Sequence, residues 1–398
     1  MTLGPGISRT LLPKGFLASG LNSGVRRYRP DVGLILSEVD AVAAGVFTLN
    51  TCAAAPVQFC RSILPSNSIR GIFTNSGQAN AATGEQGEKN NLLLAAKVAE
   101  TLGCNQSQVL IASTGVIGQQ IDMEKVLPSI PALVKSADDA AENFALAILT
   151  TDLVPKTATT QVELSTGSVR VTGVSKGSGM IHPNMATMLG YLLTDAKLST
   201  EQVQTWVREI ADVSFNMISV DGDTSTNDSF FMMANGAAKV APETPQDIEL
   251  LKKALTDVAQ VLAQSIAADG EGASKLIEVR IKGSSDLAWA RKAARSITVS
   301  PLIKSAVHGE DPNWGRILAR LGAEGISEKD LARMTLHLEG NLLFAEGAPV
   351  PFEKDLVKAT LKKHKIHIEI DLKGGDEEAV AWGCDLTKKY VEINTEYS

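Results

Sequence analysis

The sequence predicts a mixed α/β fold, and three observations carry that prediction. Strand-like and helix-like stretches interleave along the whole chain, with no repeat, heptad array or low-complexity tract. Apolar residues make up 44% and charged residues 21%, the balance of an ordinary globular chain that buries a core. The 398 residues exceed one ordinary compact domain, so two are expected.

Taken in order, Val32 to Ser37 and Ile72 to Asn75 read as short buried strands. Asn90 to Leu102 reads as a helix stopped by Gly103, and Asp138 to Leu149 as a second helix. Val162 and Leu164, then Val169 and Val171, alternate with polar residues around Ser165-Thr166-Gly167-Ser168, a hairpin pattern. Ser199 and Gln202 form a capping box for a helix to Asn216, with Val203, Trp206, Val207 and Ile210 on one face. Thr244-Pro245 opens a long helix ending near Gly270, and Leu276 to Ile281 follows as a strand. Ser285 to Ile297 is helical, Met334 to Leu338 a strand, and Phe352 to Lys363 a helix. His367 to Leu372 and Ala379 to Cys384 predict a hairpin around Gly374-Gly375. The domain boundary is expected between about Ser284 and Ser300, giving domains 1–284 and 285–398.

The net charge of -7 argues against a nucleic-acid partner, which calls for a basic excess. No run approaches the roughly 18 apolar residues of a membrane helix. Met1 to Gly20 is broken by Arg9, Pro13 and Lys14, so no secretory segment is expected. Cys52, Cys60, Cys104 and Cys384 form no CxxC pair and suit free thiols in a reducing cytoplasm.

The informative stretch is Lys176-Gly177-Ser178-Gly179-Met180-Ile181-His182-Pro183-Asn184-Met185-Ala186-Thr187-Met188-Leu189. Its glycines and proline exclude a regular helix, and an apolar run follows it. A threonine hydroxyl is a poor nucleophile until a base takes its proton. If the chain is cut just before Thr187, the new α-amino group is such a base on the same residue, with an unperturbed pKa of roughly 7.7–8.0.

This stretch resembles the self-cleavage signature of the ornithine acetyltransferase family, the bifunctional glutamate N-acetyltransferases of arginine biosynthesis. Further blocks resemble the family in the same order. They are Gly15-Phe16 with the Gly20 to Val25 turn, Ala43 to Thr48, Ala54 to Val57, Asn75 to Ala81 and Ser113 to Gly118. Thr150-Thr151-Asp152 with Pro155-Lys156, Asp221 to Asp228, Gly270 to Lys275 and Asp311 to Arg316 complete the series. The resemblance implies the sandwich of sheets and helices of the self-processing, DmpA-like and ornithine acetyltransferase group, with a smaller C-terminal α/β domain.

It also implies residue roles. The bond between Ala186 and Thr187 is opened autocatalytically, giving an α chain, 1–186, and a β chain, 187–398, that pair as α2β2. Thr187 then carries the acetyl group as an ester. Thr114 and Gly115 match the oxyanion hole, where one donor contributes about 2.7–4 kcal/mol to the transition state. Lys176, Thr150, Glu271 and Asn394 match substrate contacts; Thr151 is equally a threonine, but Thr150 keeps the family's spacing to Lys176. Ser398 takes the place of a terminal hydroxyl residue, at slightly shorter spacing than is usual.

The implied reaction is ping-pong acetyl transfer from N2-acetyl-L-ornithine to L-glutamate. No metal or bound cofactor is implied, and acetyl-CoA enters some family members as an alternative donor. Asp221, Asp223 and Asp228 miss the EF-hand pattern. His182 reads as structural, since a terminal amine makes a histidine base unnecessary. Gly177 and Gly179 lack the rest of a dinucleotide motif. Two other readings stand beside this one: a self-processed aminopeptidase or amidase in which water replaces glutamate, and a binding protein that is never cut.

Overall fold

The computed structural model describes residues 9–182 and 188–395. Among these, fifteen strands are β1 (Phe16–Leu21), β2 (Val32–Phe47), β3 (Ser66–Gln78), β4 (Val109–Val116), β5 (Lys156–Leu164), β6 (Gly167–Lys176), β7 (Leu189–Thr194), β8 (Ile218–Ser219), β9 (Ser229–Ala234), β10 (Leu276–Ser284), β11 (Thr335–Leu338), β12 (Asn341–Ala345), β13 (Ala348–Pro349), β14 (Lys365–Asp371) and β15 (Glu377–Cys384).

The chain divides into two compact units. The first comprises Met1–Gly177, Asn184–Asp212 and Thr224–Leu262; the second comprises Ser178–Pro183, Val213–Asp223 and Ala263–Ser398. This division falls elsewhere than the expected 1–284 and 285–398, because β10 is hydrogen-bonded on both sides within the second unit's sheet.

The first unit holds one sheet in the order β4-β3-β2-β9-β7-β6-β5, with β1 also on β2. The β3–β4 and β7–β9 pairs are parallel. Alternation along the central strands sends neighbouring residues to opposite faces. Val32, Leu34, Phe73, Val109 and Ile111 pack with Leu94, Val98 and Ile130 from the helices Gly84–Leu102 and Met123–Lys135. Ile35, Ile72, Leu110, Tyr191 and Phe231 pack on the other face with Phe144 from the helix Glu142–Ala147. Both faces are therefore covered, which explains why these strands read as apolar runs. The fully buried Tyr191 hydroxyl is paired with Thr74 Oγ1 at 2.8 Å.

The second unit holds one sheet in the order β13-β12-β11-β14-β10-β15-β8, with the helix Leu287–Val299 packed on β10 and β15. Here the expected hairpin is corrected. β14 and β15 do not pair with each other; β10 lies between them, parallel to β14 and antiparallel to β15. Ile277, Val279 and Ile281 of β10 are buried, so the backbone N–H and C=O groups on both edges of the strand need partners, and β14 and β15 supply them. The Gly374-Gly375 connection accordingly crosses the end of β10, with Gly374 N–H on the carbonyl of Gly283 at 2.7 Å.

The expected helix at Asp138–Leu149 is also shorter, spanning only Glu142–Ala147, because Asp138 and Ala140 bridge to Ala18 and Leu11. Among the described residues, no helix is long and apolar enough to cross a membrane.

Candidate active site

The residues singled out by sequence fall in both compact units, and each unit builds its own cluster. In the first, β3 and β4 run parallel with Ser76 opposite Thr114 and Gly77 opposite Gly115. Gly115 has φ +127°, and a Cβ there would lie 2.3 Å from the Gly77 carbonyl group, so only glycine fits. The Asn227 side-chain amide donates to the carbonyls of Ala79 and Ser113, and Ser113 Oγ donates to Asn75 Oδ1 at 2.6 Å. These bonds fix the backbone immediately before Thr114.

β6 ends at the buried Lys176. Its ammonium donates to Thr150 Oγ1 at 2.7 Å and to Thr114 Oγ1 at 3.3 Å. Of the two consecutive threonines, it is Thr150 whose hydroxyl meets the lysine. A hydroxyl that accepts from Lys176 keeps its own proton to donate elsewhere. Thr114 is thus a donor beside the Gly115 backbone.

Beneath this trio lies Asp152, which the sequence reading passed over as a site residue. Its side chain is fully buried with that of Lys156, at 0% and 1% exposure, and the two are 2.8 Å apart. Asp152 Oδ1 also accepts the Gly177 N–H at 2.6 Å, and Oδ2 the Thr150 N–H at 3.1 Å. Lys176 Nζ stands 3.8 Å from Oδ2. Burial alone raises a carboxyl's pKa; the ammoniums of Lys176 and Lys156, with the Lys156 and Gly177 hydrogen bonds, override it and hold Asp152 well below the usual carboxylate range. Arg26 was missed too: its guanidinium donates to the carbonyls of Leu149 and Thr150. The nearness of Asp152 and Lys156 in the chain was the available signal, whereas nothing local marks Arg26.

In the second unit, the buried Glu271 accepts from Asn394 Nδ2 at 2.8 Å through Oε2, and its own N–H donates to the Ser178 carbonyl at 3.0 Å. Asn394 lies on the helix Lys388–Thr395. Glycine makes room for the acid: a Cβ on Gly179 would lie within 2.3–2.5 Å of the Glu271 carboxyl group. At Gly272, φ +70°, a Cβ would meet Tyr390 N at 2.5 Å.

Upstream of Thr187, the N–H groups of Met180, at 2.6 Å, and Ile181, at 2.9 Å, donate to the carboxylate of Asp221. Its carboxylate thus serves backbone donors. His182 Nε2 faces Arg295 at 3.2 Å, and Nδ1 faces Ser219 Oγ at 3.1 Å. A guanidinium only donates, so Nε2 accepts and Nδ1 carries the proton. Burial and the Arg295 charge push the imidazole down to about 4, leaving it neutral near pH 7. Engaged at both nitrogens, His182 has the form of a structural group.

Ala186, Thr187 and Ser398 lie outside the described residues. The described chain resumes at Met188, whose carbonyl accepts the Ser229 N–H at 2.9 Å, and Leu189 pairs with Lys176 and with Ser229.

A model of the ArgJ family matches residues 17–398. The arginine biosynthesis bifunctional protein ArgJ of Lactococcus lactis subsp. lactis is 46% identical over 388 residues, covering 97% of this chain and 97% of its own. The protein of the same name from Thermotoga neapolitana is 46% identical over 394 residues, covering 97% and 99%. A crystal structure of an ornithine acetyltransferase complexed with ornithine from Mycobacterium tuberculosis aligns at 34% identity and a TM-score of 0.42, covering 45% of this chain and 96% of that one.

Proposed function

The chain belongs to the ArgJ family, and on that premise we propose that it is a self-cleaving glutamate N-acetyltransferase of arginine biosynthesis. It moves an acetyl group from N2-acetyl-L-ornithine to L-glutamate through an acetyl ester on Thr187. The observation that carries this reading is the meeting of Thr114, Lys176 and Thr150, residues separated by up to 62 positions in the chain, beside a glycine-only backbone at Gly115.

Opening of the bond between Ala186 and Thr187 frees the α-amino group that takes the Thr187 hydroxyl proton. The oxygen attacks the acetyl carbonyl, and charge moves onto the carbonyl oxygen. The Thr114 hydroxyl and the Gly115 N–H are the donors for that charge, each worth about 10²–10³ in rate. The amine of ornithine leaves with a proton. Glutamate's amine then attacks the ester by the same steps in reverse. Lys176, Thr150, Glu271, Asn394 and Ser398 are the substrate contacts, and the Glu271 carboxylate suits a cationic side chain. No resident metal or cofactor takes part. Acetyl-CoA, as a second donor, fits the word bifunctional in the relatives' names. The cleaved chains pair as α2β2 in the cytoplasm.

Intact mass spectrometry of the wild type and Thr187→Ala tests the reading. Two fragments, 1–186 and 187–398, are expected from the wild type, and one uncut, inactive chain from the variant. Full activity from an uncut wild-type chain would overturn it. Acetate release independent of glutamate would reassign the enzyme as a hydrolase, and N-acetylglutamate formed from acetyl-CoA alone would establish the second donor.

A further inference from the structure

The Asp152–Lys156 pair is buried beyond the reach of solvent, yet its hydrogen bonds converge on the residues that carry the site. Asp152 Oδ2 holds the Thr150 backbone at 3.1 Å, and Oδ1 holds the Gly177 backbone at 2.6 Å. Those two residues flank the contact between Lys176 and Thr150. Lys156 Nζ sits on the same Oδ1 at 2.8 Å and also donates to the Val154 carbonyl at 3.2 Å. Lys176 stands farther from the carboxylate, at 3.8 Å, and makes its short bond of 2.7 Å to the Thr150 hydroxyl instead. Two ammoniums thus compete for one carboxylate, and Lys156 holds the nearer place. In a buried setting an ammonium moves to the closest available anion, because attraction rises steeply as the local dielectric falls.

We propose that Asp152 and Lys156 are positioning residues for acetyl transfer: Asp152 fixes the backbones on both sides of the Lys176–Thr150 contact, and Lys156 occupies Asp152 so that Lys176 stays turned toward Thr150 and Thr114. Neither touches substrate. The inference rests on the reading of Lys176 as a substrate contact.

The test compares steady-state kinetics of the cleaved wild-type enzyme with Lys156→Met, the double variant Asp152→Asn/Lys156→Met, and Lys176→Met. In Lys156→Met the carboxylate is left to Lys176, which collapses onto it. The KM for N2-acetyl-L-ornithine is expected to rise about tenfold, with kcat changed less, as for loss of one charge-assisted contact. In the double variant the amide oxygen still accepts the Gly177 N–H, the Thr150 N–H loses its acceptor, and no charge remains to draw Lys176 in, so the main fault of the single variant is removed at the cost of one backbone bond. Its KM is expected to return to within about threefold of wild type. Loss of packing alone would not be repaired by a second substitution at the same place. A wild-type KM in Lys156→Met, or a double variant no better than the single one, overturns the proposal. Should Lys156→Met fail to fold, the double variant decides: folded with near-wild-type KM it supports the proposal, folded with a tenfold rise it refutes it. Lys176→Met separates the two layers. If its KM is unchanged, the substrate-contact reading fails; if it alone loses affinity and Lys156→Met does not, only the positioning role fails.

Discussion

The Lys176 cluster and the Glu271–Asn394 pair both keep charge out of water, but by different means. The first is set in the sheet of its unit: Lys176 ends β6, Lys156 begins β5, and Asp152 ties both to backbone N–H groups. Its burial is offset by opposite charge on the spot. The second sets one acid among neutral partners. Glu271 is accommodated by the absent side chain at Gly179 and held by one amide on the helix Lys388–Thr395, which has no buried residue and whose backbone comes close to Gly272. The contrast teaches where to expect coupling. Damage to the first cluster reaches the fold, because breaking a buried ion network strands a charge. Damage to the second is expected to show in catalysis far more than in the fold.

The most severe way to expose the difference is Asp152→Asn, which leaves Lys156 and Lys176 facing each other without their shared carboxylate. A loss of about 3–5 kcal/mol is expected in the free energy from denaturant titration, against little change for Glu271→Gln. The same carboxylate sets an acid limit. Its folded pKa lies below the unfolded value, so its contribution is fully present above about pH 4 and fades as pH falls through the folded value. Asp152→Asn should flatten that acid limb; an unchanged limb would mean the network contributes nothing.

Gly179→Ala comes next. The added methyl must displace the Glu271 carboxyl group, so N-acetylornithine turnover is expected to fall about a hundredfold, with a stability loss of only about 1–3 kcal/mol. A variant with normal kinetics would show that Glu271 need not sit where it does. Glu271→Gln keeps an acceptor for Asn394 but removes the charge. Its KM for N2-acetyl-L-ornithine should rise about tenfold with an unchanged melting profile; equal damage to stability would erase the contrast between the clusters. Asn394→Ala, on an exposed helix, should raise KM only about threefold.

His182 sharpens the comparison along the pH axis. Its folded pKa, about 4, lies below its ordinary 6.5. The stability it contributes as a neutral group is present above 6.5 and lost as pH falls toward 4. His182→Asn should remove that slope from urea midpoints measured between those values.

Local chemistry was legible in the sequence; distant pairing was not. The capping box was readable because it is contained in four residues, and Ser199 and Gln202 exchange both bonds, at 2.9 and 3.1 Å. Gly103 ends its helix at φ +67° for an equally local reason. The false hairpin at Gly374-Gly375 arose because turn residues say nothing about whether a third strand fills the gap. β2 read as six residues rather than sixteen, since Ala41, Ala43, Ala44 and Gly45 are weak strand formers, paired only because β3 and β9 lie alongside. At the site, Thr114, Thr150 and Lys176 were named from family resemblance and are brought together. Asp152 and Lys156 stood in a quoted block without a role, because a short-range charge pair looks the same whether it ends on the surface or under a sheet.

The strand order also bears on what a break before residue 187 would leave behind. Strands β9 and β7, from the downstream piece, are laced between β2 and β6 of the upstream piece. The seam between the two polypeptides would run through the interior of a continuous hydrogen-bonded layer. Parting them would mean unzipping two ladders at once, so separation and unfolding become the same event, and dilution should not pull the halves apart.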